Sequence, residues 1–212
     1  MIISLIGMSG SGKSYWARKL SHSAGYRHIY VDRKIMKQLY PTLEKYGHVG
    51  IESAVNDWMG QPYDSRYLVN CKKYLELEEK IMDQILTKLE NGKYKEENIV
   101  IDTAGSLVHL KKDLWGRLKN QTTVILLDAT DEVRDKLWHT FLADPKPLVW
   151  DKFFNQNEGE ENKQALARCY PILLDYRLKI YRELADVTLD FEEIRAVNFT
   201  IYDFLSKIKK SS

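Results

Sequence analysis

Gly7-Met8-Ser9-Gly10-Ser11-Gly12-Lys13-Ser14 fits the pattern G-x-x-x-x-G-K-[ST], and its surroundings decide the fold. Before it stands Ile2-Ile3-Ser4-Leu5-Ile6, a short β-branched run of the kind a strand buried on both faces requires. After it the pattern turns helical from about Lys13 to Ser23 and is closed by Gly25. A strand, a glycine-rich loop and a helix in that order make a Walker A loop, whose glycines let successive backbone N–H groups curl around phosphate oxygens. In such a loop Lys13 reaches the β- and γ-phosphates and Ser14 sets its hydroxyl on Mg²⁺, while the helix start adds the positive end of its dipole. The expected cofactors are ATP and Mg²⁺. The nucleotide-binding stretch runs through Gly7, Met8, Ser9, Gly10, Ser11, Gly12, Lys13, Ser14 and Tyr15.

Outward from this loop, strand and helix keep alternating. Ile29-Tyr30-Val31 predicts a second strand with Asp32 at its carboxyl end, followed by a helix from Arg33 to Tyr40 that Pro41 stops. The stretch from Thr42 to Asn70 carries Gly47, Gly50, Gly60 and Pro62 with Trp58, and reads as short helices and loops that cover a ligand. Leu75, Ile81, Ile85 and Leu89 recur near helical spacing within a helix from Cys71 to Leu89. Asn98 to Asp102 and Thr122 to Asp128 are strands, with a helix from Leu107 to Leu118 between them. A helix from Glu132 to Leu142 precedes the polar segment 143–162, which suits a lid. A long helix from Lys163 to Leu184, the strand Val187 to Asp190 and a helix near Asn198 to Ile208 complete the pattern. Five such strands predict one domain over 1–212, a three-layer α/β/α sandwich with a five-stranded parallel sheet, the nucleoside-monophosphate-kinase-like form of the P-loop NTPases. Its ligands belong at the carboxyl ends of the strands.

Composition narrows the function classes. The chain has 212 residues, 44% of them hydrophobic and 29% charged, which suits one ordinary core rather than a disordered chain. Its 32 basic and 30 acidic residues leave a net charge of only +2, so nucleic acid is not expected as the main ligand. No apolar segment is long enough to span a bilayer, and no export signal is read. Two cysteines, Cys71 and Cys169, lack the spacing of a disulfide framework or a metal site and point to a cytoplasmic protein. His22, His28, His48, His109 and His139 show no paired metal spacing and read as surface or core filling.

Three further residues invite chemistry. Asp32 either orients an acceptor hydroxyl for in-line attack or caps the helix that begins at Arg33. Asp102, ending the apolar run Ile99-Val100-Ile101, is either a Walker B acid at the Mg²⁺ shell or a strand-terminal turn residue. Arg177 sits among Leu173, Leu174, Ile180, Tyr181 and Leu184 on one helix face, where a guanidinium needs a partner. That partner is either an internal acid or the carboxylate of a bound molecule.

The early loop, Tyr30-Val31-Asp32, Asp144-Pro145-Lys146-Pro147-Leu148 and the Arg-x-x-x-Tyr of Arg177 to Tyr181 together resemble the shikimate kinase family. The resemblance implies an adenylate-kinase-like core, ATP and Mg²⁺ as the donor pair, and a small hydroxy acid as acceptor. It implies that Asp32 holds the acceptor hydroxyls, that Arg177 holds its carboxylate, and that Arg195 lies beside the adenine. Thr103-Ala104-Gly105-Ser106 stands where the family has three glycines, and only Gly105 matches as an acceptor contact. Tyr30 replaces a first acid, Lys146 takes the place of a phosphate-contacting arginine, and Leu75 falls where a second acceptor-binding arginine is expected.

The function these readings give is an ATP-dependent kinase that phosphorylates a hydroxyl of a small acid, with shikimate first among the acceptors. Lys13, Asp32 and Lys146 are its catalytic residues, Asp32, Gly105 and Arg177 its acceptor contacts, and Ser14 and Asp102 its metal side. The acceptor region covers 32–75. Two alternatives stand beside it: a kinase for a sugar acid or nucleoside, and a non-catalytic nucleotide sensor. The oligomeric state is not legible.

Overall fold

The computed structural model describes residues 1–45, 51–129, 131–146 and 148–210. Gly47, His48, Gly50 and Pro147 therefore lie outside the described residues.

The five strands are β1 (Ile2–Ile6), β2 (Arg27–Tyr30), β3 (Ile99–Asp102), β4 (Thr123–Asp128) and β5 (Val187–Asp190). All neighbouring pairs are parallel, in the order β2-β3-β1-β4-β5. Alternation along the central strands divides the core in two. Ile3 and Leu5 of β1, Val100 of β3 and Ile125 and Leu127 of β4 pack on one face, while Ile6, Ile99, Ile101, Val124 and Leu126 pack on the other. On the first face lie α1 (Lys13–Ala24) and α8 (Ile201–Lys210), joined by Trp16 stacked on Phe204 with ring centroids 4.6 Å apart. The second face is covered by α2 (Val31–Lys45), α4 (Tyr67–Glu90), α5 (Lys112–Gln121) and α7 (Asn162–Leu184). Helices α3 (Ile51–Met59) and α6 (Asp131–Ala143) complete this layer. The predicted three-layer sandwich is thus the observed one.

The boundaries differ where tertiary packing overrides local signals. Pro41 does not stop α2, which continues to Lys45. Ile35, Leu39 and Leu43, spaced by four, are all buried against the core, and burying that stripe outweighs the hydrogen bond a proline forfeits. Helix α4 begins at Tyr67 rather than Cys71 because Tyr67 itself is buried. The helix expected from Leu107 breaks into a short 3₁₀ turn, Leu107–His109, followed by α5. Among the described residues no helix is long and apolar enough to cross a membrane.

Candidate active site

The glycine-rich loop leaves β1 at Gly7 and enters α1 at Lys13. At Gly7, with φ of 141°, a side chain would meet the Leu127 carbonyl at 2.8 Å, so the loop can lie this close to β4 only as glycine. Lys13 is buried and folds back over its own loop, donating to the carbonyls of Gly7 at 2.8 Å and Met8 at 2.9 Å. Burial pushes its ammonium pKa down, while the carboxylates of Asp102 and Asp32 oppose that shift and Arg177 adds to it. These four charges therefore share one electrostatic environment. Ser11 Oγ is buried without a hydrogen-bond partner among the described residues, an arrangement that a phosphate oxygen satisfies.

Asp102 ends β3 almost fully buried, in register with Tyr30 of β2. His28, two residues before Tyr30 on the same strand face, brings its Nε2 to 3.3 Å from Asp102 Oδ2. His28 is thus not filler, and only the pairing of β2 with β3 brings it to Asp102. Ser14 at the start of α1 and Asp102 at the end of β3 carry oxygen atoms of the type Mg²⁺ takes. Such an ion needs only one or two protein oxygens when substrate phosphates fill the rest of its shell. The described residues contain no cluster of three or more acidic, histidine or cysteine side chains able to bind a metal unaided.

Two cavities flank the loop. One, of about 510 Å³, is lined by Gly12, Tyr15, Trp16, Lys19, Arg195 and Phe199. Arg195 stacks over the Phe191 ring at 4.0 Å and donates to the Gly10 carbonyl at 3.2 Å, which fixes it beside the loop. The other cavity, of about 240 Å³, gathers Ser9, Asp32, Tyr74, Gly105, Ser106, Lys146 and Arg177 from six separate stretches of chain. Val55, Asn56 and Met59 of α3 and its C-terminal end close another side, so the 32–75 region does border this space.

Arg177 is only 3% exposed. Its Nη2 donates to the Val149 carbonyl at 2.8 Å, its Nε has no hydrogen-bond partner, and among the described residues it forms no ion pair. No carboxylate lies within ion-pair distance of it there, although the buried carboxyl of Glu78 lies close enough to feel its charge. Lys146 is exposed at the rim of the same cavity. Asp32 lies in the first turn of α2 rather than before it, and accepts a hydrogen bond from the Tyr74 hydroxyl at 3.3 Å. Leu75, in place of the expected second arginine, packs against the core and does not line the cavity.

The segment after Lys146 is pinned rather than loose. Tyr67 of α4 donates to the Leu148 carbonyl at 2.7 Å and accepts from the Trp150 N–H at 2.8 Å. Trp150 is fully buried between Phe141, Phe154 and Tyr170. The Val149 carbonyl that Arg177 uses is thereby held from both sides.

Glu78 is the largest omission from the sequence reading. It is fully buried, accepts a very short hydrogen bond from the Ser106 hydroxyl at Oε2, and leaves Oε1 without a partner. Burial pushes its carboxyl up to about 8, against the opposing pull of the Ser106 hydrogen bond. His109 nearby is pushed down to about 3 by burial and then by Arg177, so its ring is neutral near pH 7.

No protein-family model matches the chain, and no curated protein matches it in sequence. Solved structures do match it. Shikimate kinase from Aquifex aeolicus is 21% identical with a TM-score of 0.56, covering 99% of this chain and 96% of its own. Shikimate kinase from Acinetobacter baumannii in complex with shikimate is 18% identical with a TM-score of 0.54, covering 99% and 89%. The enzyme from Bacteroides thetaiotaomicron is 15% identical with a TM-score of 0.57, covering 99% and 95%. At such identities the likeness is one of architecture. The chain has the P-loop kinase fold of the shikimate kinases.

Proposed function

We propose that this chain is a cytoplasmic kinase that uses ATP and Mg²⁺ to phosphorylate a hydroxyl of a small acid, with shikimate the first candidate. One observation carries the reading: a buried guanidinium without an ion pair among the described residues, Arg177, lines the same cavity as the carboxylate of Asp32, beside the phosphate loop. A hydroxy acid presents two groups complementary to this lining, a carboxylate that Arg177 can grip and a hydroxyl that a carboxylate such as Asp32 can orient.

The loop Gly7 to Ser14 holds the triphosphate, and Tyr15 and Arg195 border the larger cavity where the adenine sits. Lys13 leaves its two loop carbonyls for the β- and γ-phosphates and neutralises charge on the transferring group. Ser14 and Asp102 would hold Mg²⁺, which would supply charge neutralisation for the phosphates. The acceptor oxygen attacks the γ-phosphorus, the bond to the β–γ bridging oxygen breaks, and ADP leaves. Asp32 orients the hydroxyl and accepts its proton. Gly105 lets backbone approach the acceptor. Lys146, exposed just before the pinned Leu148–Trp150 segment, brings a point charge to the γ-phosphate. The absence of an arginine at position 75 favours, as a second reading, a sugar acid or another hydroxy acid over shikimate itself.

The test is ADP release from ATP and Mg²⁺ with shikimate, quinate, gluconate, glycerate and a set of nucleosides, each against a blank without acceptor. Stimulation by an acid supports the proposal. Stimulation by nucleosides alone, or acceptor-independent turnover, contradicts it.

A further inference from the structure

We infer that Tyr181 is a positioning residue for phosphoryl transfer: by holding the Gly105 carbonyl it sets the register between Arg177, which grips the acceptor, and the phosphate loop. This rests on the kinase reading and adds to it what keeps the two sides of the cleft in line.

Tyr181 is the second half of the Arg-x-x-x-Tyr pair, and no step of the proposed reaction uses it. It stands one helical turn after Arg177, so both side chains project from the same side of α7. Its ring is fully buried, and its hydroxyl donates to the Gly105 carbonyl at 2.7 Å. A carbonyl only accepts, so the direction of this bond is fixed. Burial pushes the phenol pKa up, which keeps the donated proton in place.

Gly105 joins this helix to the donor side. The segment that carries it is anchored at Thr103, whose N–H and hydroxyl both donate to the Leu5 carbonyl, at 3.3 and 2.8 Å. Leu5 belongs to β1, the strand that runs into the glycine-rich loop. Gly105 itself lies against that loop, since a Cβ there would be 3.7 Å from the Ser9 nitrogen. Ser9, Gly105 and Arg177 all line the acceptor cavity. A connected path thus runs from Arg177 along one turn of α7 to Tyr181, across the hydrogen bond to Gly105, and on to Ser9.

A hydrogen bond supplies what the surrounding core does not. Leu173, Leu174 and Leu178 hold α7 in its layer by apolar packing, which is non-directional and lets packed helices slide by small shear motions. In-line attack is sensitive to such motions, because a misplacement of about 1 Å costs on the order of a hundredfold in rate. Two other ties of α7, Lys119 to the Leu184 carbonyl at 2.8 Å and Arg182 to Asp128 at 3.1 Å, join residues that do not line the cavity. The Tyr181 bond ends on a residue that does.

The experiment compares wild type, Tyr181→Phe, which keeps the buried ring and removes only the hydroxyl, and Lys119→Met, which breaks a tie of the same helix away from the cavity. Affinities for ADP and for shikimate, quinate, gluconate and glycerate are read by calorimetry, kcat is expressed per nucleotide-binding site so counted, and the unfolding temperature is recorded. Tyr181→Phe is expected to lower kcat about tenfold for the acid turned over, while ADP and acid affinities stay within about twofold, because Arg177 and Asp32 still bind the acceptor. Lys119→Met is expected to keep kcat within about twofold even where it unfolds as early as Tyr181→Phe. Wild-type kcat in Tyr181→Phe, a loss of acid affinity in place of kcat, or an equal loss of kcat in Lys119→Met overturns the inference and leaves the kinase reading standing. A wild type that phosphorylates no acid of the panel overturns both.

Discussion

Arg177→Lys keeps the positive charge and removes the planar fork, so it separates carboxylate recognition from simple electrostatics. In the unliganded protein the guanidinium gives one hydrogen bond, from Nη2 to Val149, and its Nε gives none. Losing that bond costs the fold about 1 kcal/mol, and a lysine Nζ can recover part of it. With an acceptor carboxylate in place the fork forms a charge-assisted pair of roughly 1.5–3 kcal/mol. At 1.4 kcal/mol per factor of ten, the acceptor KM should rise about ten- to a hundredfold while the ATP KM stays within about twofold. Steady-state kinetics with both substrates varied, together with the unfolding temperature of the same preparation, measure the two effects separately. A protein that unfolds markedly earlier yet keeps a normal acceptor KM would falsify the carboxylate assignment.

Other outcomes follow from the same geometry. Lys13→Ala should abolish turnover and leave the unfolding temperature nearly unchanged, because its two hydrogen bonds are to loop carbonyls that water can reach once the side chain is gone; unaltered kcat contradicts the phosphate role. Asp32→Asn should lower kcat at saturating Mg²⁺, whereas Asp102→Asn should raise the Mg²⁺ requirement, and identical Mg²⁺ titrations of the two variants refute that division. Tyr67→Phe removes two hydrogen bonds to the 148–150 backbone and should destabilise the protein by roughly 1–3 kcal/mol, read by denaturant unfolding; wild-type stability contradicts the pinning of that segment. Glu78, with its carboxyl held up to about 8 against 4.5 when free, binds its proton more tightly folded than unfolded. It is neutral and harmless below about pH 4.5, and its burial penalty grows as pH rises toward 8. The stability of Glu78→Gln relative to wild type should therefore increase between pH 5 and pH 8, by on the order of a few kcal/mol, and a pH-independent difference refutes the raised carboxyl.

The sheet and its helices were legible because each strand is a short apolar run bounded by a turn signal. The glycine-rich loop fixed where the chain begins its first crossover. Helix ends were less legible. Pro41 reads as a stop from its own chemistry, yet the Ile35, Leu39 and Leu43 stripe that carries α2 past it gains its value only from the layer it packs on. Arg177 stood out as a charge on an apolar stripe. Glu78 carries the same signal, since it precedes Ile81, Met82 and Ile85 by three, four and seven positions, but the neighbouring Glu76 and Glu79 make that stretch look like a solvated face. His28 and Ser106 could not be found locally. The first depends on β2 pairing with β3, and the second on α4 lying beside the loop after β3.

The central claim is phosphoryl transfer to a small hydroxy acid, and product analysis tests it most directly. The protein is incubated with ATP, Mg²⁺ and the acid panel, and the acids are weighed by mass spectrometry beside a Lys13→Ala control. The account predicts that wild type adds one phosphoryl group to at least one acid, in step with ADP formed, and that the control adds none. ADP accumulating without any phosphorylated acid contradicts it.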